Sequence, residues 1–188
     1  SYLKIAEIRE WLPDVPILAL TATATPEVVN DIQEKLEFTD GQVFQKSFER
    51  TNLAYVVLQE EGKENKLLDV LKGVKGTAII YARNRRKTKE IALFLQKKGL
   101  SADFYHAGLS PEARSTKQDA WIQDKTRIMV STNAFGMGID KPDVRAVVHL
   151  DLPDNLEAYF QEAGRAGRDG EKSYAVLLYN KNDKIRLE

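Results

Sequence analysis

Two tetrapeptides, Ala78-Ile79-Ile80-Tyr81 and Ala175-Val176-Leu177-Leu178, are apolar at every position, and they constrain this chain more than any other feature. A strand with one face in water alternates apolar and polar residues, whereas one that is apolar on both faces needs cover on each side. That is the environment of a parallel sheet between helices. Similar short runs recur along the chain with segments of helical period between them, a rhythm that predicts an α/β protein with a parallel sheet flanked by helices. Strands are expected near 17–20, 43–46, 53–58, 77–82, 102–106, 127–131, 145–150 and 174–179, without half-wet alternation.

Helix starts are marked locally. Thr25-Pro26-Glu27 combines a capping hydroxyl, a proline in the first turn and an acid at the positive end of the dipole, and Ser110-Pro111-Glu112 repeats the device. Val28, Val29, Ile32 and Leu36 share one face of the first helix, and Ile91, Phe94, Leu95 and Lys98 one face of a later one, so both are expected to pack on a sheet. Lys plus Arg and Asp plus Glu number 28 each, so any contact with nucleic acid has to be local rather than spread over the surface. The absence of cysteine excludes disulfides, thiol nucleophiles and cysteine-ligated zinc within these 188 residues. No apolar run approaches the roughly 20 residues needed to span a bilayer, and no membrane role is expected. The chain begins at Ser1, and an excised piece of a longer protein is expected.

Five stretches carry candidate chemistry. After the strand ending near Ser131 comes Thr132-Asn133-Ala134-Phe135-Gly136-Met137-Gly138-Ile139-Asp140, at the carboxyl end of a strand, where open α/β sheets bind ligands. Gly136 and Gly138 permit close backbone approach, Thr132 offers a hydroxyl to phosphate, and Asp140 can accept from ribose hydroxyls; a glycine-rich turn with a capping acid is the plainer alternative. The stretch Gln161-Glu162-Ala163-Gly164-Arg165-Ala166-Gly167-Arg168-Asp169-Gly170 places two arginines three apart, on one face if the helix continues. They suit the clamping of phosphate oxygens; the plainer alternative is a C-terminal turn whose arginines favour the negative dipole end and whose Gly164, Gly167 and Gly170 end the helix.

Arg83, Arg85, Arg86, Lys87 and Lys89 put five positive charges around Asn84 just after a strand, either to grip a nucleic-acid backbone or as a solvated helix face. His106-Ala107-Gly108 forms a compact turn before the Ser110 cap, suited to a phosphate. His106 and His149 have no partners at metal-ligand spacing, so no metal site is expected. Thr21, Thr23 and Thr25 stand at alternate positions, either a hydrogen-bond relay at a domain surface or an ordinary capped loop.

In this order and spacing the five stretches resemble the later motifs of superfamily 2 helicases, specifically the RecQ family, over essentially the whole chain. Residues 20–24 resemble motif III, 78–85 motif IV, 104–114 the His-Ala-Gly element, 130–153 motif V and 161–170 motif VI. The resemblance implies a second RecA-like motor domain from about 48 to 188, with 1–47 the C-terminal part of the first, ATP-binding RecA-like domain as its intramolecular partner. It implies that Arg168 and Arg165 reach the ATP γ-phosphate across the cleft, Arg168 as the finger, with Gln161 a coupling residue. Asp140 would contact the ribose beside Gly136 and Gly138. Arg85, Asn84, His106, Gly108 and Thr132 would hold the DNA backbone, and Thr21 and Thr23 would link the domains.

The chain departs from that pattern in places. Ala82-Arg83-Asn84-Arg85 stands where Cys-x-Ser-Arg is usual, so the Asn84 amide is expected to replace a hydroxyl, and Trp121 stands where Phe is usual in the core. A phosphate-binding Gly-x-x-x-x-Gly-Lys-Ser/Thr and an Asp-Glu pair for Mg²⁺ are missing; the family layout puts them before Ser1, and a four-cysteine zinc module and winged helix after Glu188. The implied parent uses ATP and Mg²⁺ to move 3′ to 5′ and unwind DNA, single strand or duplex junction, in repair and recombination. It would act in the bacterial cytoplasm or a eukaryotic nucleus, and the fragment alone is expected to be inactive. A DEAD-box RNA helicase would show Ala-Arg-Gly-Ile-Asp and His-Arg-x-Gly-Arg-x-Gly-Arg where this chain has Gly-Met-Gly-Ile-Asp and Gln-Glu-Ala-Gly-Arg-Ala-Gly-Arg. A module that only binds single strands or partners would need none of Arg165, Arg168 and Asp140.

Overall fold

The computed structural model of the chain describes residues 3–21, 24–38, 40–45, 47, 49–136 and 139–185. These divide into two compact units, Ser1–Glu49 and Arg50–Glu188. The first holds α1 (Leu3–Ala6), a 3-10 turn (Glu7–Glu10) and α2 (Pro26–Lys35). Thr25 caps α2 by accepting from the Val28 amide at 3.4 Å. Strands were expected at 17–20 and 43–46; residues 17–20 and 43–45 are instead irregular, and Lys46 lies outside the described residues. A strand exists only through a hydrogen-bonded neighbour, and neither segment has one among the described residues. Both line a groove with Val29 and Ile32 of α2, leaving Leu20 84% and Phe44 89% exposed.

The second unit runs β1 (Leu53–Gln59), α3 (Lys63–Gly73), β2 (Thr77–Tyr81), α4 (Arg85–Lys97), β3 (Ala102–Tyr105), α5 (Pro111–Ile122), β4 (Ile128–Ser131), β5 (Val144–His149), α6 (Leu156–Ala163), β6 (Ser173–Tyr179) and α7 (Lys181–Ile185). Its six strands pair in parallel in the order β1-β6-β5-β2-β4-β3. All their carboxyl ends therefore lie along one edge, and those of β2, β4 and β3 are neighbours on it.

The strand period of two sorts the core onto two faces. Ala78, Ile80, Val130 and Val148 meet α3 and α4 through Leu67, Leu71, Ile91 and Leu95. Ile79, Met129, Val147 and Ala175 meet Trp121 of α5 and Phe135. Each fully buried leucine or isoleucine contributes about 1.5–3 kcal/mol of transfer free energy, so a sheet covered on both sides is far more stable than one with a wet face. β1 corrects the expectation of uniformly covered strands: it alternates, with Tyr55 and Val57 exposed, because it is an edge strand of the sheet. Trp121, 1% exposed, keeps the core role expected of it and donates from Nε1 to the Ala78 carbonyl at 3.3 Å.

Candidate functional site

Most of the expected residues gather into two groups, one at the carboxyl edge of the sheet and one against the strand starts, where the Gly167 amide donates to the carbonyl of Val144, the first residue of β5, at 2.9 Å. In the first, β2 gives way to α4 at Asn84, whose Oδ1 accepts from the Lys87 amide at 2.8 Å. Asn84 is thus the N-cap of α4, its side-chain oxygen committed to the helix.

The basic run around it does not form one open patch. The Arg83 amide donates to Asp151 at 2.9 Å, Arg83 Nη2 to the Leu152 carbonyl at 3.0 Å, and Lys87 Nζ lies 2.9 Å from Asp151. Burial opposes ionisation of Asp151, but the Arg83 amide and the Lys87 ammonium outweigh it and hold the carboxyl below its ordinary value. Arg86 pairs with Glu90 one helical turn on, at 3.2 Å. The charges therefore divide between anchoring the strand-helix junction and facing outward.

Arg85 points elsewhere. A Cβ on Gly108 would stand 2.6 Å from Arg85 Nη1, so the guanidinium lies over that glycine and joins the loop after β2 to the loop after β3. His106 leaves β3 two residues earlier, its Nδ1 enclosed and without a hydrogen bond among the described residues. Burial, then the positive charges of Arg85 and Lys117, push its imidazole below the ordinary value. Thr132, after β4, donates its amide to the Tyr105 carbonyl at 3.4 Å, while its Oγ1 accepts from the Ala134 amide at 3.4 Å. Arg85, His106, Gly108 and Thr132 come together because the sheet order sets β3 beside β4 and β4 beside β2.

In the second group Arg165 and Arg168 do not share a helical face; of the two alternatives it is the C-terminal turn ended by glycines that the structure has. α6 ends at Ala163, Gly164 caps it, and Gly167 and Gly170 adopt φ of +61° and +86°, so the arginines project from a sequence of turns. Glycines in left-handed conformations stop a helix. Arg165 Nη1 donates to the Gly136 carbonyl at 2.6 Å, and its Nε is enclosed with no partner among the described residues. Gly136 has φ +139°, and a Cβ there would lie 2.2 Å from Arg165 Cζ, so the guanidinium rests directly on its backbone. Arg168 Nη1 donates to Asp140 Oδ1 at 2.8 Å. Gln161 is exposed on α6.

Gly138 and Thr23 lie outside the described residues, and Thr21 is exposed in the first unit. No cluster of three or more acidic, histidine or cysteine side chains able to hold a metal occurs among the described residues.

Two relationships escaped the sequence. His149, 1% exposed, stacks on Tyr81 and places Nε2 2.8 Å from Glu162 of α6, and Arg50 and Asn52 donate to the Gly167 carbonyl. Periodicity has no signal for either pairing, because the partners belong to different elements.

Comparison with known proteins places this arrangement among relatives. The family described as helicase conserved C-terminal domain matches residues 62–170. The chain is 44% identical, over all of its length, to the RecQ-like DNA helicase blm-1 of Caenorhabditis elegans, and 42% identical to the ATP-dependent DNA helicase RecQ of Pasteurella multocida. It spans 19% of the first relative and 31% of the second. A DEAD box protein from Methanococcus jannaschii shares the fold at a TM-score of 0.68 and 28% identity, covering 99% of this chain and 53% of that one.

Proposed function

Because this chain belongs to the helicase conserved C-terminal domain family, we propose that it supplies the second motor domain of a RecQ-like, ATP-dependent DNA helicase. Residues 1–47 would be the end of the first RecA-like domain in that parent. The observation that carries the reading is the pairing of Gly136 with Arg165 and Asp140 with Arg168 on the sheet whose carboxyl edge gathers Arg85, His106, Gly108 and Thr132. One group suits a nucleotide and the other a strand backbone, and the sheet that carries both makes a movement at one felt at the other.

In this proposal Arg168 and Arg165 meet the γ-phosphate when the two motor domains close on ATP, and Gln161 senses that closure. A planar guanidinium stabilises charge spread over phosphoryl oxygens without exchanging a proton, an effect worth about 10³ to 10⁵ in rate in other nucleotide hydrolases. Asp140 accepts from the ribose hydroxyls, and Arg168, which it holds through Oδ1 alone, leaves it to reach the phosphate. Arg85 and the turn at Gly108 hold the DNA backbone by charge and close approach. Mg²⁺ would be held by the part of the parent that precedes this chain. Translocation from 3′ to 5′, junction unwinding in repair and recombination, and a nucleoid or nuclear setting complete the proposal.

Steady-state ATP hydrolysis by the full-length protein, with single-stranded DNA and then RNA as activator, tests it beside this fragment alone. Stimulation by DNA only, with a silent fragment, is the expected result. Stimulation by RNA in its place would redirect the reading to an RNA helicase, and no stimulation by either would leave a binding module.

A further inference from the structure

The turn that bears Arg165 and Arg168 is held by residues more than a hundred positions away. Arg50, the first residue of the second unit, donates from Nη2 to the Ala166 carbonyl at 3.2 Å and to the Gly167 carbonyl. Its Nε donates to Asn52 Oδ1 at 3.2 Å, which fixes the amide so that Asn52 Nδ2 reaches the Gly167 carbonyl at 2.7 Å and the Glu171 carbonyl at 2.9 Å. Both backbone acceptors of Arg50 lie between the two arginines. The space is filled to contact: a Cβ on Gly167 would meet Asn52 Nδ2 at 2.6 Å and the Glu171 carbonyl at 2.8 Å. On the other side Arg145 donates to Ser173 Oγ at 3.1 Å and pairs with Asp169.

A segment of turns has no ladder of its own, so its shape depends on what satisfies its carbonyls. Here the donors are the residues through which the chain enters the sheet, immediately before β1. The apolar cores on the two sheet faces take no part in these bonds.

We propose that Arg50 and Asn52 are positioning residues for the arginine turn, setting where Arg165 and Arg168 are presented to the transferring phosphate. The inference rests on the reading of Arg165 and Arg168 given under Proposed function. Arg50 and Asn52 touch no reacting atom; they act through the carbonyls of Ala166 and Gly167. A misplacement of about 1 Å costs on the order of a hundredfold in rate, so loosening the turn is expected to act on turnover rather than on binding.

The test uses the full-length protein with Arg50→Ala, Arg50→Lys, Asn52→Asp and Arg168→Ala. Arg50→Ala is expected to lower kcat for DNA-stimulated ATP hydrolysis about ten- to a hundredfold. KM for ATP and affinity for single-stranded DNA are expected to stay within about twofold. Arg50→Lys, which keeps a donor for one carbonyl, is expected to recover part of that loss. Asn52→Asp removes the two amide donations at nearly constant volume and is expected to reproduce the fall in kcat, so the question stands even if Arg50→Ala does not fold. Amide exchange across residues 164–170 is expected to quicken in both.

A kcat within about twofold of wild type in a folded variant overturns the proposal, as does a kcat loss matched by an equal loss of DNA affinity. Failure of both variants to fold would make the residues structural and overturn it equally. The two readings fail differently. Full turnover in Arg168→Ala defeats the assignment of the arginine turn itself, whereas loss in Arg168→Ala with normal turnover in Arg50→Ala defeats only the positioning role.

Discussion

Arg168 Nη1 donates to Asp140 Oδ1 at 2.8 Å, so the two side chains expected at the γ-phosphate and at the ribose of one nucleotide are in contact with each other. The pair is open to water, with side chains 38% and 82% exposed, and an ion pair so placed is worth about 0–1 kcal/mol. Its geometry bears on ligand exchange more than on stability.

Replacing either partner is therefore expected to leave the melting temperature nearly unchanged while separating two kinetic effects. Arg168→Ala in the full-length protein is expected to lower kcat by about 10³ or more with strand binding intact. Asp140→Ala is expected to act on KM for ATP, raising it. Steady-state kinetics over a range of ATP concentrations checks both, and normal turnover in Arg168→Ala would sink the assignment.

Gly136→Ala is expected to be damaging for two reasons acting together. Its φ of +139° is a conformation that L side chains rarely adopt, and the new methyl would stand 2.2 Å from Arg165 Cζ. The backbone strain alone costs about 1–3 kcal/mol, and displacement of Arg165 is expected to lower turnover as well. Denaturant melts and ATP hydrolysis measured on the same preparation check this; unchanged stability would mean that the loop relaxes freely.

Arg85 and Gly108 separate charge from shape. Arg85→Ala is expected to weaken single-strand binding and reduce the slope of log K against log salt by roughly one. Gly108→Ala meets only the far end of the flexible Arg85 side chain, so it is expected to cost under about 0.5 kcal/mol of stability. It is nevertheless expected to weaken strand binding by turning Arg85 aside. Fluorescence anisotropy titrations at several salt concentrations decide both; an unchanged slope in Arg85→Ala would remove that residue from the strand contact.

Acid is expected to destabilise the carboxyl edge in two stages. The His106 imidazole is held below its ordinary 6.5, so the unfolded chain binds the proton more readily, and stability is lost as pH falls from about 6.5 to the lower native value. The Asp151 carboxyl is also held below its ordinary 3.8, so its contribution is present above that value and is lost as pH falls through the native one. Melting temperatures of wild type and His106→Asn between pH 7.5 and 5 test the first stage, and the difference between the two curves is expected to shrink or reverse on acidification. Parallel curves would exclude His106 as its source.

How legible the molecule was in sequence depended on the range of the interactions. Ser110-Pro111-Glu112 announced α5 because a cap and its acceptor are three residues apart, and Ser110 does accept from the Ala113 amide at 3.2 Å. The strands at 77–82 and 174–179 were legible because continuous apolar character reports burial on both faces, whatever the neighbours. Residues 17–20 carry the same signal and form no strand, because a ladder needs a partner that local composition cannot specify. Residues 83–89 suggested either a grip on a nucleic-acid backbone or a solvated helix face, and Asp151, 68 positions from Arg83, instead accepts from the Arg83 amide and takes the charge of Lys87.

The sequence by itself determined the alternation of strand and helix, the caps, and which loops carry glycine and charge, because each follows from the chemistry of a few adjacent residues. Its motif spacing also singled out the family to which the chain belongs. Only the tertiary structure decided that Arg85 lies over Gly108, that Arg168 meets Asp140, and that Arg50 holds the Gly167 carbonyl across 117 positions. Those pairings depend on strand order and on where α6 stops. Both are settled by the burial of the whole sheet and the left-handed glycines of its last turn, not by any side chain acting alone.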